Sequence, residues 1–429
     1  MDLEASMHRV ADLVPGPALA IDRLELSGAS TFPSAFDVDL AARTCAGLAV
    51  LADGGTTLDL DRLMALLVTH VEVDGGAVPA WADLSGYYDT ADGGHIQLHC
   101  NFPHHAAGVV HRLGCDANRP AVQHAILDWN ADELEAQLID DGMIAARLRT
   151  MNEWTRHPHA RATGGLPLID IEQLGDAPPR PTGRRDRVLD CSRVLAGPIA
   201  GMTLAAQGCD VLRVGAAHLP SVDVGVLATG FGKRNAFADV TTDDGSQRFG
   251  ALLDDADVWI DAYRPGAFER AGFGLDRVPP GAVVVQISAF DWVGPWAGRR
   301  GFDSIVQSTT GIVDAGRVAS GRDGPTPLPV QALDYCTGLL AAFTAMRLRR
   351  HQAAHGGTWL ARLSLLRARN WLVSLGGPEP FQPEVARALP SALHTVDTPF
   401  GRVTAARPIL GAWSSGPQPL GSAEPAWLD

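Results

Sequence analysis

The sequence lacks several patterns that mark whole classes of protein. It has six cysteines, but none forms a CxxC pair or a spacing typical of zinc sites. No stretch of about 18 apolar residues could span a bilayer, and the acidic N-terminus has no unbroken apolar run of the kind a signal peptide needs. We therefore expect a cytoplasmic protein with free thiols, no membrane segment and no metal site.

Clustered positive charge is missing as well. The net charge is −14 and the isoelectric point is near 5.4. The densest basic run, residues 180–187, is interrupted by proline, glycine and aspartate. Because nucleic-acid binding needs a clustered basic surface, the sequence predicts no nucleic-acid partner.

The length and turn content favour a large α/β protein. The chain has 429 residues, with 46 glycines and 29 prolines, which is enough for two or three domains. The segment 175–186 is rich in proline and charge and is the best candidate boundary. We predict a small domain with connecting helices at 1–180, a large domain at 181–375, and a C-terminal tail at 376–429 with little regular structure.

Strand-like and helix-like segments alternate in the predicted large domain. Residues 187–194 form an apolar strand pattern, residues 195–208 a helical one, and residues 209–214 the next strand. This rhythm predicts an α/β fold with a doubly wound parallel sheet. Such sheets bind ligands at the carboxyl ends of their strands. The turn "VLAGPIAG" at 194–201 lies at such an end, but it is neither GxGxxG nor a P-loop, so alone it is a structural turn or a ligand site.

One carboxylate stands at the head of a long apolar stretch. Residues 327–346 contain Asp334 and no lysine or arginine, and the first cation after it is Arg347. A helix that begins there would bury almost everything after the aspartate. Helix N-termini favour anions, so Asp334 is either a plain helix cap or a functional carboxylate.

Five motifs in a fixed order resemble a known family. They are "VLDCSRVLAGPIAGMTLAAQGCDVLRV", "FGKRN", "DDADVWIDAYRPGAFERAGFG", "VVVQISAFDWVGPWAGRRGFDSIVQSTTG" and "PVQALDYCTGLLAA". Together, over residues 187–375, they resemble the class III CoA-transferases (CaiB/BaiF family), which include formyl-CoA, carnitine and bile-acid CoA-transferases as well as α-methylacyl-CoA racemases. The resemblance implies a Rossmann-like large domain, a smaller α+β domain and an interlocked homodimer. Parts of 1–180 resemble segments that the family places after its Rossmann half, so the order is permuted.

The resemblance also implies a reaction. Asp334, in the family's "D…TG" motif, would attack an acyl-CoA and form first a mixed anhydride and then an aspartyl-CoA thioester. A carboxylic acid would then take over the CoA. Acyl-CoA is thus a substrate, and no permanently bound cofactor is implied.

Residues that would contact CoA follow from the same motifs. Positions matching the family's CoA contacts are Val194, Leu195, Ala196, Arg213, Lys233, Arg234, Tyr263, Arg270 and Phe290. The family's "ISGFG" is "ISAFD" here, with Ala289 and Asp291 in place of glycines. A bulkier, charged loop beside the thioester could alter the substrate or impair the chemistry.

Two other functions are left open. Racemisation needs a second acid or base opposite the aspartate, and the racemases carry a histidine in "GHD" where this chain has "GFD" with Phe302. A non-catalytic CoA-binding homologue is the other alternative. The histidines of "HIQLHCNFPHH" at 95–105 match no zinc spacing, so we interpret them as packing at a strand–helix corner rather than as metal ligands.

Overall fold

The computed structural model describes residues 1–180 and 185–428, so the predicted boundary at 180/181 adjoins residues outside the described part. The helices are α1 Leu3–Ala11, α2 Val38–Asp53, α3 Leu60–Leu67, α4 Pro103–Leu113, α5 Arg119–Ile126, α6 Ala131–Asp140, α7 Met151–Arg156, α8 Pro158–Thr163, α9 Ala196–Ala206, α10 Asp223–Thr229, α11 Asp243–Asp254, α12 Ala267–Arg270, α13 Asp303–Thr309, α14 Ile312–Ser320, α15 Ala332–His355 and α16 Leu365–Leu375. The strands are β1 Glu25–Ser27, β2 Thr57–Asp59, β3 Val71–Val73, β4 Gly76–Ala77, β5 Gly86–Asp89, β6 His95–Leu98, β7 Ala145–Arg147, β8 Asp170–Gly175, β9 Arg187–Cys191, β10 Asp210–Gly215, β11 Arg234–Phe237, β12 Val258–Asp261, β13 Val283–Ser288, β14 Thr358–Ser364, β15 Leu393–Thr398 and β16 Gly401–Ala406.

A seven-stranded sheet forms the centre of the molecule. Its order is β11-β10-β9-β12-β13-β14-β8, and every pair is parallel except β14–β8. Counted along the chain from β9, the six parallel strands have the order 3-2-1-4-5-6, which reverses direction between β9 and β12. The predicted α/β fold with a parallel sheet is confirmed, and the reversal marks the place where such sheets bind ligands.

The strands are buried on both faces, which explains their continuous apolar sequence. In β13, Val283 and Val285 pack into one core while Val284 packs into another on the opposite face. The first core holds α9, α15 and α2, and the second holds α11 and α12. Near-continuous runs of β-branched residues are typical of parallel strands covered by helices on both sides.

The N-terminal segment is built into this central layer. Its last strand, β8, pairs with β14 at the edge of the large sheet, and α2 packs along α15. The division into a small domain at 1–180 and a large domain at 181–375 therefore stays a prediction, because the two segments share one hydrophobic core.

The C-terminal tail carries more regular structure than we expected. Strands β15 and β16 form a hairpin that joins β3 and β4 of the N-terminal segment in a four-stranded sheet. The expectation of little regular structure was wrong, because Pro399 lies in the turn between the two strands and Gly401 begins the second strand, so neither interrupts the pairing. Its buried face is short, with Val403 and Ala405 facing the core.

A third core lies in the N-terminal segment. The sheet β5-β6-β7 packs against α4, α5 and α6 around Ile96 and Leu134. Buried Glu135 links this unit to its neighbours, accepting hydrogen bonds from Arg149 and, at 2.9 Å, from Arg299. No helix in the described part of the chain has the length and apolar character needed to cross a membrane.

Candidate active site

A cavity of about 400 Å³ lies at the carboxyl ends of β9, β12 and β13. It is bounded by the loops that follow these strands, by the start of α15 and by residues of the N-terminal segment. The predicted site residues that line it are Val194, Leu195, Ala196, Tyr263, Phe290 and Asp334. The topology explains this grouping, because the carboxyl ends of neighbouring parallel strands meet at one edge of the sheet.

Asp334 is the third residue of α15 and is 7% exposed. Its side chain accepts a hydrogen bond from the backbone N–H of Ala196, the first residue of α9. The carboxylate thus occupies the anion site at the start of the helix that follows the first strand, where other α/β sheets hold a phosphate. Phosphate groups of a ligand must find their partners elsewhere in the cavity.

A close crossing of α9 and α15 brings Asp334 to that position. A Cβ atom on Gly338 would lie 2.4 Å from the carbonyl oxygen of Ala196. Only glycine fits at this crossing without displacing one helix. This gives a physical reason for the glycine that follows Asp334 by four residues in the "D…TG" motif.

A second carboxylate stands beside Asp334. Asp303, fully buried at the start of α13, accepts the backbone N–H of Asp334 at 2.9 Å, and its carboxylate is also bonded to the side-chain amide of Gln307. Burial, and then the negative charge of Asp303, raise the pKa of Asp334 well above its usual range, against the opposing effect of the Ala196 N–H. Burial raises the pKa of Asp303 too.

The loops around the cavity contain backbone conformations that most side chains avoid. Only four non-glycine residues in the described ranges have positive φ, and two of them, Val194 at 73° and Asp291 at 75°, line the cavity. For the β-branched Val194 this conformation is costly. Strain of this kind concentrates where a loop must hold a fixed shape against a ligand.

The altered loop at Ala289–Asp291 does not leave a free charge in the cavity. The Asp291 carboxylate is buried and accepts hydrogen bonds from Arg367, with one contact of 3.0 Å, and from the hydroxyl of Ser364 at 3.0 Å. Burial alone would raise the pKa of Asp291, but the hydrogen bonds and the positive charge of Arg367 bring it below its usual value. Asp291, which replaces a glycine of the family's loop, is therefore one half of a buried ion pair with Arg367.

The predicted cations are not brought together in this cavity. Arg213 and Lys233 line a smaller pocket next to it, and Lys233 Nζ lies 3.0 Å from buried Asp190. Arg234 begins β11, at the opposite edge of the sheet, and pairs with Asp210 at 2.8 Å. Arg270 ends α12 and is exposed. Roles for these four residues in CoA binding stay predictions.

Other positively charged or imidazole side chains, which the sequence did not single out for this role, line the cavity instead. They are Arg193, Arg264, Arg299, Arg300, His104 and His105. Arg299 pairs with Glu135, whereas within the described ranges Arg193, Arg264 and Arg300 form no ion pair with an acidic side chain and donate, where bonded, to backbone carbonyls. The sequence contained part of this information, because Arg193 directly precedes Val194 and Arg264 lies in the motif "YRPG". The histidines come from the 95–111 segment and could be placed here only by the fold.

Phe302 lines the cavity where a racemase would carry its second acid or base. The ring of His99 stacks on it with centroids 4.0 Å apart and an interplanar angle of 21°. Burial lowers the pKa of His99 to about 3, so this imidazole stays neutral. Among the described residues, no group of three or more His, Cys, Asp or Glu side chains is arranged to hold a metal ion.

Comparison with known proteins identifies the part of the chain that forms most of this site. The model of CoA-transferase family III matches residues 186–384. We refer to them as the family III region.

Curated relatives of the chain are CoA-transferases by name. The chain is 31% identical to a probable fatty acyl-CoA transferase of Mycobacterium tuberculosis over 40% of the chain and 47% of the relative. It is 29% identical to an acetyl-coenzyme A transferase of Hypoxylon pulicicidum over 51% of the chain and 36% of the relative. It is 27% identical to the mouse succinyl-CoA:glutarate CoA-transferase over 47% of each. The chain thus spans less than half of the length of these relatives.

Solved structures match over a similar share of the chain. A crystal structure of a hypothetical protein from Mycobacterium tuberculosis covers 46% of this chain at 26% identity, with a TM-score of 0.39 and 57% of its own chain covered. A CaiB/BaiF family protein from Brucella suis covers 51% of this chain at 24% identity, with a TM-score of 0.39 and 64% of its own chain covered.

Proposed function

We propose that this protein transfers CoA from an acyl-CoA to a carboxylic acid, with Asp334 as the covalent nucleophile. The observation that carries the proposal is the position of Asp334: a buried carboxylate with a raised pKa, held at the start of α9 and lining the cavity of the family III region. The names of the relatives, which combine acyl-CoA donors with transfer of CoA, support the same reaction class.

The reaction balances without an external energy source. An oxygen of ionised Asp334 attacks the thioester carbonyl, the C–S bond breaks, and CoA leaves as thiolate from a mixed anhydride. The thiolate then attacks the aspartyl carbonyl, which releases the first acid and leaves an aspartyl-CoA thioester. The acceptor carboxylate reverses these two steps, and Asp334 is regenerated as the new acyl-CoA leaves.

The environment of Asp334 suits this role. A carboxylate whose pKa is raised is more basic, and hence a stronger nucleophile when ionised, than an exposed one. Burial keeps water from the anhydride and the thioester, both of which water would hydrolyse. The exposed rim arginines Arg264 and Arg300 are available for the phosphates of CoA.

The racemase alternative has less support from the geometry. Proton exchange needs a group that can give and take a proton across the cavity from Asp334, and Phe302 and its stacking partner His99 provide none there. The interlocked homodimer and the cytoplasmic location stay predictions.

Hydroxylamine trapping tests the proposal. The protein is incubated with a panel of acyl-CoAs and treated with hydroxylamine, and the peptide containing Asp334 is analysed by mass spectrometry. A hydroxamate on Asp334, absent in Asp334→Ala, supports the covalent route. CoA binding without any hydroxamate would instead support a non-catalytic CoA-binding homologue.

A further inference from the structure

The loop that follows β13 is joined at its two ends by a histidine of the N-terminal segment. His159 lies in α8 and is fully buried. Its Nε2 is 2.7 Å from the carbonyl oxygen of Phe290, and the backbone N–H of Trp296 donates to its Nδ1 at 3.2 Å. These partners are the first and last residues of the loop 290–296, so a single imidazole connects both ends.

The loop also wraps around this imidazole. Gly294 has a φ of 83°, and a Cβ at this position would lie 2.7 Å from the His159 Nδ1. The rings of Trp296 and Phe290 lie against His159 with centroid distances of 5.6 Å and 6.1 Å. A side chain at position 294 would therefore push the loop away from the imidazole.

The two hydrogen bonds define the protonation state of His159. A carbonyl oxygen only accepts and a backbone N–H only donates, so Nε2 carries the proton and Nδ1 offers a lone pair. Burial lowers the pKa of His159; the Phe290 hydrogen bond and Asp291 raise it by less, and Arg299 lowers it further. The imidazole is therefore neutral at physiological pH and keeps one donor and one acceptor for the loop.

The loop belongs to the wall of the cavity. Phe290, one of the predicted CoA contacts, lines the cavity, and so do residues 298–302, which follow Trp296. Asp334 is held by other elements, through the N–H of Ala196 and the carboxylate of Asp303. A loss of the two His159 hydrogen bonds should thus change the shape of the wall while leaving the nucleophile in place.

We propose that His159 is a positioning residue for acyl-CoA: through its two ring hydrogen bonds it holds the loop 290–296 in the shape that binds CoA beside Asp334. This inference rests on the proposed function. In the described part of the chain the cavity is lined by the loop and not by His159, which also lies outside residues 186–384. The N-terminal segment thus supports this wall of the family III region from the side away from the cavity.

Substitutions at His159 test the hydrogen bonds directly. His159→Leu removes the donor and the acceptor, whereas His159→Gln keeps both kinds of group in its side-chain amide. The Kd for CoA is measured by isothermal titration calorimetry, and kcat and KM are measured with the acyl-CoA that gives most hydroxamate on Asp334. His159→Leu should raise the Kd and the KM by about tenfold and change kcat by less than about threefold. His159→Gln should keep both constants within about threefold of those of the unaltered protein.

Three further variants separate these hydrogen bonds from general packing. Thr163→Val removes a buried hydroxyl that donates to the His159 carbonyl at 2.7 Å; it disturbs α8 but keeps both ring hydrogen bonds, so the Kd and the KM should stay unchanged. Gly294→Ala should raise both constants as His159→Leu does, because its methyl group would displace the loop from the imidazole. Gly321→Ala is the control for backbone strain, with a φ of 68° and no described atom within 4 Å of the added methyl.

The outcomes distinguish this inference from the proposed function. A folded His159→Leu with unchanged Kd and KM, or with a fall in kcat alone, overturns the positioning role. So does an equal effect of Thr163→Val, or a folded His159→Gln that behaves like His159→Leu. If His159→Leu does not fold, Gly294→Ala compared with Gly321→Ala decides. CoA binding without hydroxamate or transfer overturns the proposed function, and the Kd values then decide whether His159 positions the loop for CoA. No CoA binding by the unaltered protein overturns both.

Discussion

The carboxylate of Asp303 accepts a hydrogen bond from the backbone N–H of Asp334 at 2.9 Å. Asp303 is bonded to the Leu333 N–H as well. It therefore acts as a cap for the first turn of α15 and at the same time places a second negative charge beside the Asp334 side chain. One residue thus positions the candidate nucleophile and raises its pKa.

Removing the charge of Asp303 should make Asp334 easier to ionise. The negative charge of Asp303 raises the pKa of Asp334, so Asp303→Asn should lower it while leaving an oxygen to accept backbone hydrogen bonds. The acid limb of the transferase pH profile, measured as kcat/KM for acyl-CoA, should move to lower pH. An exposed control, Asp244→Asn, should leave the limb in place. If the acid limb of Asp303→Asn is unchanged or moves to higher pH, the charge of Asp303 does not raise the pKa of Asp334.

The Asp334 side chain, when ionised, should lower the free energy of unfolding at neutral pH. Because its pKa is higher in the folded than in the unfolded chain, its contribution is intact below the unfolded pKa and is lost as pH rises through the folded pKa. Asp334→Asn should thus raise the free energy of unfolding more at about pH 8 than at about pH 4. Urea unfolding at both values measures this difference. A variant less stable than the unaltered protein at the higher pH would refute it.

The crossing of α9 and α15 should tolerate no added methyl group. Gly338→Ala places a Cβ 2.4 Å from the Ala196 carbonyl oxygen, which should cost about 1–3 kcal/mol and separate Asp334 from the Ala196 N–H. We expect both a lower free energy of unfolding and less hydroxamate on Asp334. Gly250→Ala in α11 is the matched control, since its nearest contact would be 3.6 Å, and it should be neutral or stabilising. Equal effects of the two substitutions would rule out the close-crossing explanation.

The loop that holds Asp291 should depend on its buried ion pair. Asp291→Ala leaves the Arg367 guanidinium, 3% exposed, with only the longer carboxylate contact to Asp170 at 3.8 Å, which should destabilise the protein by about 3 kcal/mol. Asp244→Ala breaks an exposed pair with Arg248 and should change stability by less than about 1 kcal/mol. Chemical denaturation of both variants checks the contrast. A small effect at Asp291 would mean that the pair does not hold the cavity loop.

Sequence patterns predicted the features that depend on strand order along the chain. The α/β alternation predicted the parallel sheet because each strand–helix repeat is local. Val194 and Tyr263 were predicted from their match to the family's motifs, and the fold explains their grouping because both follow strands whose ends meet at one edge. Asp334 was singled out because it is the only charged residue in the apolar stretch 327–346.

Features that depend on long-range contacts were not predictable. Lys233 and Arg234 are adjacent cations, but their partners Asp190 and Asp210 lie 43 and 24 residues away, and pairing with them ties both cations to neighbouring strands. His105 forms part of the cavity wall only because the N-terminal segment packs against the family III region. The hairpin β15–β16 was missed because its partner strand β3 is more than 300 residues earlier in the chain.

An oxygen-isotope experiment tests the central claim most directly. CoA transfer is run with an acceptor acid labelled with ¹⁸O in its carboxylate, and the peptide containing Asp334 is then analysed by mass spectrometry. In the proposed route the bridging oxygen of the second anhydride comes from the acceptor and stays on the aspartate when thiolate attacks the acyl carbon. We predict ¹⁸O in the Asp334 side chain after turnover. Labelled acyl-CoA formed with no label on Asp334 would contradict the covalent role of this residue.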